Sequence, residues 1–193
     1  MNKAVFFDRD GTINKEVNYL TRSEDIEFMP GLFNALEMLK KAGFLNIIIT
    51  NQSAVARGLL SIKELETIHE EFFRRINMEN KILIDDILYS PYHVDGVIEK
   101  YKIEHIDRKP GIGLIEKAAV KYKINLEESF FVGDSYTDMK CASNANLKKV
   151  MMMNGYGKRD IEKCRAEKIN IESLAGDLLE AAAFILNNSV LNN

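Results

Sequence analysis

Cysteine is nearly absent: Cys141 and Cys164 are the only two in 193 residues, and both fall in stretches that read as helical. That excludes a secreted disulfide scaffold and favours a reducing compartment. Neither charge sign is in large excess, since 26 Lys and Arg stand against 29 Asp and Glu for a net charge of −3. Wholesale binding to a nucleic acid backbone is therefore not expected. Long apolar runs are missing too. Phe44 to Ile49 and Leu178 to Leu186 stop well short of the ~20 residues a membrane span requires. The opening MNKAVFFDRDG carries one lysine and then two aspartates, which is not a signal peptide. No repeat, low-complexity tract or linker divides the chain. The expectation is one cytoplasmic domain over residues 1–193, monomeric, with neither a nucleic acid nor a membrane partner.

Strand and helix signals alternate from end to end, which predicts an α/β fold: a Rossmann-like three-layer sandwich around a mostly parallel central sheet, without a large cap domain. Lys3 to Phe7 reads as a short apolar strand ending at Asp8. Pro30-Gly31 opens a helix to about Ala42, with Leu32, Leu36 and Leu39 on one face and Gly43 closing it. Phe44 to Ile49 is apolar except at Asn46, as a strand buried on both faces should be. Ser61 and Glu64 are spaced as a capping box for a helix reaching Ile76. Further strands are predicted at Ile84 to Tyr89, Ser129 to Val132, Lys148 to Met152 and Ile169 to Ile171, and further helices at Ile112 to Tyr122, Ser135 to Ala145 and Ser173 to about Asn187. Ser90 to Pro110 is long for a connection, which marks a functional or metal-stabilised loop. His69 reads as a surface or boundary residue, Met151 to Met153 as core, and Asn187 to Asn193 as a frayed end.

Three predicted strands end in polar groups suited to phosphoryl chemistry: Asp8-Arg9-Asp10-Gly11-Thr12, Thr50-Asn51 and Gly133-Asp134-Ser135. In open parallel sheets ligands bind at the carboxyl ends of the strands, so the three can share one pocket. Asp8 and Asp10 are two apart, which in extended chain points both carboxylates the same way. Without a cation they would repel. Magnesium, small and oxygen-seeking, relieves that, and Asp134 completes the carboxylate set. Each piece alone has an ordinary explanation. Asp8 to Gly11 could be a solvated turn, Asp134 a helix N-cap, Thr50-Asn51 a strand end and Lys109 a surface lysine.

In this order, Asp8-Arg9-Asp10-Gly11-Thr12, Thr50, Lys109 and Gly133-Asp134-Ser135-Tyr136-Thr137-Asp138 resemble the signature of the haloacid dehalogenase-like phosphatases. The resemblance implies a two-step hydrolysis. Asp8 is the nucleophile, and Asp10 protonates the leaving oxygen and then activates water. Thr50 and Lys109 bind the transferred phosphoryl oxygens. Magnesium is held by the Asp8 carboxylate, the Asp10 main-chain carbonyl and the Asp134 carboxylate. Asp138 supports Asp134 and Lys109.

Finer features resemble the branch containing histidinol-phosphate and heptose-bisphosphate phosphatases, and Gln52-Ser53 with Ala56-Arg57-Gly58 favour the heptose side. The same resemblance makes Glu16, Val17, Asn18, Tyr19, Asn51, Gln52, Ser53, Arg57 and Arg108 substrate contacts. The expected substrate is a small phosphorylated metabolite, D-glycero-D-manno-heptose 1,7-bisphosphate cleaved at the 7-phosphate. Another small phosphomonoester such as histidinol phosphate is the alternative. A phosphoaccepting receiver-type domain or a silent binding domain is the non-enzyme alternative, and Asp10 argues against the former.

Departures from the branch are equally specific. Where such enzymes carry a cysteine-rich zinc loop, this chain has Ser90-Pro91-Tyr92 and His105-Ile106-Asp107. Zinc is not expected without the thiolates, although His93, His105 and Asp107 could form an improvised site. The loop is expected to rely on packing through Tyr92 and Ile106. Ser135 stands where Lys is usual, and Gly111-Ile112 where His-Pro is common.

Overall fold

The computed structural model describes residues 1–77 and 81–190. Among them, six parallel strands form one sheet in the order β3-β2-β1-β4-β5-β6. In chain order the elements are β1 (Lys3–Phe7), α1 (Leu32–Lys41), β2 (Phe44–Asn51), α2 (Ile62–Ile76), β3 (Asp86–Ser90) and α3 (Gly113–Tyr122). They continue with β4 (Phe130–Gly133), α4 (Tyr136–Asn144), β5 (Lys148–Met152), α5 (Gly157–Ala166), β6 (Ser173–Ala175) and α6 (Leu178–Val190). The predicted Rossmann-like sandwich is what the chain adopts. Among the described residues, the connection from β1 to α1 and the one from β3 to α3 hold only short 3-10 turns, Ser23–Asp25 and Glu99–Tyr101.

Side chains alternate along each central strand, and both faces are buried. Val5, Phe7, Ile48, Phe130 and Val132 join the layer of α1, α2 and α6. Ala4, Phe6, Ile47, Ile49 and Phe131 join the layer of α3 and α4. This period of two explains why the strands read as continuous apolar runs. Met151 and Met152 are buried as expected, and Met151 packs with Ile161 and Cys164 of α5. The capping box of α2 forms, with Ser61 accepting from Glu64 N and the Glu64 carboxylate accepting from Ser61 N.

Several boundaries differ from the sequence expectation for local reasons. β3 begins at Asp86, not Ile84, because the Asn77 side chain takes the backbone there: Leu83 N and Ile84 N both donate to Asn77 Oδ1. The strand expected at Ile169 to Ile171 lies at Ser173–Ala175 instead, where Ser173 to Ala175 pair with Val150 to Met152. Ile169 N is occupied in closing α5 onto Cys164 O. The last helix starts at Leu178 instead of Ser173, because Asp177 Oδ1 accepts from Glu180 N and sets the start there. Residues 191–193 of the expected frayed end lie outside the described residues.

The chain leaves β1 toward β2 and β3, then crosses to β4 on the other side. The carboxyl ends of β1 and β4 therefore flank a topological switch point, the place in such sheets where a crevice opens.

Candidate active site

A cavity of about 310 Å³ opens there, lined by Asp8, Asp10, Thr50, Lys109, Asp134 and Asp138 among others. Asp8 follows β1, Thr50 and Asn51 end β2, and Asp134 follows β4. Lys109 arrives from the long loop after β3, and Asn51 places it. Asn51 Nδ2 donates to Lys109 O at 3.1 Å, while Lys109 N donates to Asn51 Oδ1 at 3.0 Å. The Lys109 ammonium is buried and donates to Asp8 Oδ1 and to Asp138 Oδ1, each at 2.6 Å.

The electrostatics follow from crowding acids in a dry site. Burial, and then Asp138, raise the Asp8 carboxyl well above the ordinary value despite Lys109. Burial and Asp138 likewise push Asp134 up to about 7. For Lys109, burial alone would favour the neutral amine, but Asp138 and Asp8 outweigh it and raise the ammonium above the ordinary lysine value. Burial works to raise Asp10 as well. There, however, the Arg9 guanidinium and hydrogen bonds from Asn14, Arg9 and Gln52 prevail and hold it below the ordinary value.

One carboxylate oxygen from each of Asp8, Asp134 and Asp138 lies within 4.8 Å of the others. Both Asp138 oxygens are already engaged, Oδ1 by Lys109 and Oδ2 by Ser135 N and Oγ. Asp134 Oδ1, by contrast, is buried without a partner. A hard divalent cation suits this set: it would satisfy the orphaned oxygen and offset the excess negative charge. The backbone is shaped around Asp134. Gly11 has φ +84, and a Cβ there would lie 2.4 Å from Asp134 Oδ2. At Gly155, with φ +48, it would lie 1.9 Å away.

The predicted residues divide by position. Glu16, Asn18, Tyr19, Asn51, Gln52 and Ser53 line this cavity, as do Asp8, Asp10, Thr50, Lys109 and Asp134. Val17 is exposed and outside the lining. Arg108 lines a second cavity of about 600 Å³ with His93, His105 and Lys109, and Arg57 Nη2 is 3.4 Å from His93 Nε2. Lys109 therefore borders both cavities. Asp134 does not cap α4, because Ser135 takes that position and forms a capping box with Asp138. His69 is buried, contrary to the surface or boundary position expected, and lies 3.1 Å from Arg9 Nη1.

In the long loop, the Tyr92 ring stacks on His105 at 4.0 Å between centroids and 20° between planes. Ile106 does not pack as expected and is 60% exposed. The loop instead hangs on Ala56 O, which accepts from Val97 N and Ile98 N, and on Tyr92 O, which accepts from Arg108 Nη1.

Sequence reading missed the wall after β5: Tyr156, Arg159 and Asp160 line the cavity, and Tyr156 N donates to Asp134 Oδ2 at 2.9 Å. Asn154-Gly155 is a turn signal directly after a predicted strand, and the strand-end rule applied to β5 would have found it.

Comparisons with known proteins identify the family. A HAD-hydrolase-like family model matches residues 106–181. A D-glycero-beta-D-manno-heptose-1,7-bisphosphate 7-phosphatase of Rhodopseudomonas palustris is 37% identical over 144 residues, covering 75% of this chain and 79% of the relative. The chain belongs to the haloacid dehalogenase-like phosphatases. A relative in Thermosynechococcus vestitus, a D-glycero-D-manno-heptose-1,7-bisphosphate 7-phosphatase, is 31% identical across 94% of each chain. The solved D,D-heptose 1,7-bisphosphate phosphatase of B. bronchiseptica, complexed with magnesium and phosphate, superposes with a TM-score of 0.83 at 25% identity. It covers 96% of this chain and 99% of that one. As a member of this family, the chain is a phosphoric monoester hydrolase built on the α/β core described above.

Proposed function

We propose that this phosphatase, a single catalytic domain over residues 1–193, hydrolyses the 7-phosphate of D-glycero-D-manno-heptose 1,7-bisphosphate. The observation that carries the substrate is a pair of cations with no counter-charge. Among the described residues, neither Arg57 nor Arg108 forms an ion pair with a carboxylate, and Arg57 Nε is buried without a partner. Burial, followed by the nearby Arg57, pulls the Arg108 guanidinium below its ordinary value. Two neighbouring guanidiniums without a carboxylate partner suit a second phosphate, and Lys109 borders both the cavity that Arg108 lines and the one holding Asp8. A bisphosphate can occupy both. Relatives bearing that substrate's name support the reading.

The Asp8 carboxylate attacks phosphorus. The bond from phosphorus to the ester oxygen breaks, an acyl phosphate forms on Asp8, and Asp10 gives its proton to the departing alcohol. Asp10 is a base at rest, and a phosphate anion entering the cavity raises it toward the protonated form this step uses. Asp10 then takes a proton from water as the water oxygen attacks phosphorus, which frees Asp8 and releases phosphate. Lys109 and Thr50 donate to the phosphoryl oxygens throughout. Magnesium, held by Asp8, the Asp10 carbonyl and Asp134, would neutralise charge on the transferred group. Zinc has no part in this reading.

Phosphate release from heptose bisphosphate, heptose 7-phosphate and histidinol phosphate tests it. The bisphosphate should give the highest kcat/KM, and Arg57→Ala with Arg108→Ala should raise KM for the bisphosphate far more than for the monophosphates. Equal sensitivity of all three substrates, or preference for histidinol phosphate, would overturn the substrate assignment.

A further inference from the structure

Asp10 is gripped more tightly than any other carboxylate in the cavity. Arg9 Nε donates to Oδ1 at 3.1 Å, and Arg9 Nη2 donates to Oδ1 at 3.0 Å and to Oδ2 at 2.9 Å. Asn14 Nδ2 adds a bond to Oδ1 at 3.0 Å, and Gln52 Nε2 one to Oδ2 at 2.9 Å. Arg9 itself is completely buried. A guanidinium out of water needs acceptors for its remaining donors, and one fixed at only one end can pivot away from its carboxylate.

The other end is held from α2. Arg9 Nη1 lies 3.1 Å from His69 Nε2, and the Arg9 guanidinium carbon sits 5.4 Å from the centre of the Phe72 ring one helical turn on. Arginine offers no acceptor, so Nε2 must be the accepting atom and the ring carries its proton on Nδ1. Burial, and then Arg9 itself, push the imidazole down to about 3, so it stays in the neutral form that can accept. The ring is fixed in turn against Tyr89, with centroids 5.2 Å apart. His69 does not line the cavity that holds Asp8 and Asp10, so any effect it has on the reaction passes through Arg9.

We propose that His69 is a positioning residue for hydrolysis: by accepting from Arg9 Nη1, it holds the guanidinium in the pose that aims the Asp10 carboxylate. The proposal rests on Asp10 acting as acid and base, as set out above. A filler residue in the core would need only the shape of the ring, whereas a positioning residue needs the acceptor atom.

The test compares His69→Leu, His69→Phe and His69→Gln in the 193-residue chain with magnesium, measuring kcat, KM and thermal stability, and repeats the Leu change in an Asp10→Asn background. Leu and Phe fill the space without an acceptor. Either should lower kcat by about 10-fold or more, within the range that a small misplacement of a catalytic group causes, while KM stays within about twofold. Gln, whose side-chain oxygen can accept from Arg9, should recover kcat to within about threefold of wild type on the same scale. In the Asp10→Asn background the Leu change should cost nothing further, because the group it positions is gone. Wild-type kcat in a folded His69→Leu or His69→Phe variant would overturn the proposal. So would the same fractional loss with Asp10 already removed, or a Gln variant as slow as Leu. Wild-type turnover in Asp10→Asn alone would instead overturn the role of Asp10.

Discussion

Lys109 Nζ donates to Asp8 Oδ1 at 2.6 Å across 101 positions of the chain. The same ammonium reaches Asp138 at the same distance, so one buried cation offsets two carboxylates. Removing one partner of such an ion pair is far costlier than replacing the whole pair, because the remaining charges stay buried. Lys109→Met is therefore expected to destabilise the metal-free protein by about 3–5 kcal/mol, with a smaller loss in excess magnesium. Urea denaturation with and without the cation measures both. A loss below about 1 kcal/mol without metal, against that scale, would mean the acids share protons instead.

Asp8→Asn should abolish turnover while the fold persists. The amide cannot form the acyl phosphate, and the change removes a carboxyl that Asp138 and Asp134 both oppose. Mass spectrometry of acid-quenched enzyme should find phosphate added to wild type at Asp8 and none on the variant. Wild-type phosphate release by Asp8→Asn would end the assignment of the nucleophile.

Asp134 makes stability depend on pH in a defined direction. Its carboxyl is raised from an ordinary 3.8 to about 7, by burial first and then by Asp138. Between those values the folded chain binds a proton that the unfolded chain has released, so stability falls as pH rises. The contribution is full below 3.8 and is lost as pH passes about 7. Magnesium competes for the same oxygens and binds best when they are ionised. Excess magnesium should therefore raise Tm more at about pH 8 than at about pH 5.5, and Asp134→Asn should remove most of that difference. An equal magnesium shift at both pH values would contradict the site.

Much of this was legible in the sequence because strand ends and chemistry coincide. Asp8, Thr50 and Asp134 all stand at the carboxyl ends of apolar runs, and a parallel sheet gathers such positions whatever their separation. What stayed hidden depends on partners distant in sequence. His69 looks like one more polar residue on an amphipathic helix, and only the fold shows that Arg9 turns back to meet it. Ile84 has the composition of a strand, but its backbone belongs to Asn77. Arg57 and Arg108 belong to different loops, and their lack of carboxylate partners among the described residues is a fact of packing that no motif encodes.

The long loop offers the last prediction. Ser90 and Asp107 lie where the family resemblance implies a zinc loop, and Ser90 Oγ and Asp107 Oδ1 are both buried without partners. A metal could in principle exploit those two oxygens. Yet Tyr92 is stacked on His105, and the other Asp107 oxygen is taken by Lys117. Among the described residues, His93, His105 and Asp107 do not form a group of three converging ligands. Zinc prefers thiolate and imidazole in a closed tetrahedron, and hydroxyl with carboxylate makes a poor substitute. The purified protein is therefore expected to carry far less than one zinc per chain, and a zinc-selective chelator should leave Tm unchanged. Tyr92→Ala should instead loosen the loop, because it removes the stack on His105. Since the loop carries Arg108 and Lys109, KM for the bisphosphate should rise with little change in the fold. Stoichiometric zinc by elemental analysis, with Tm falling when it is stripped, would show that the loop is still built around a metal.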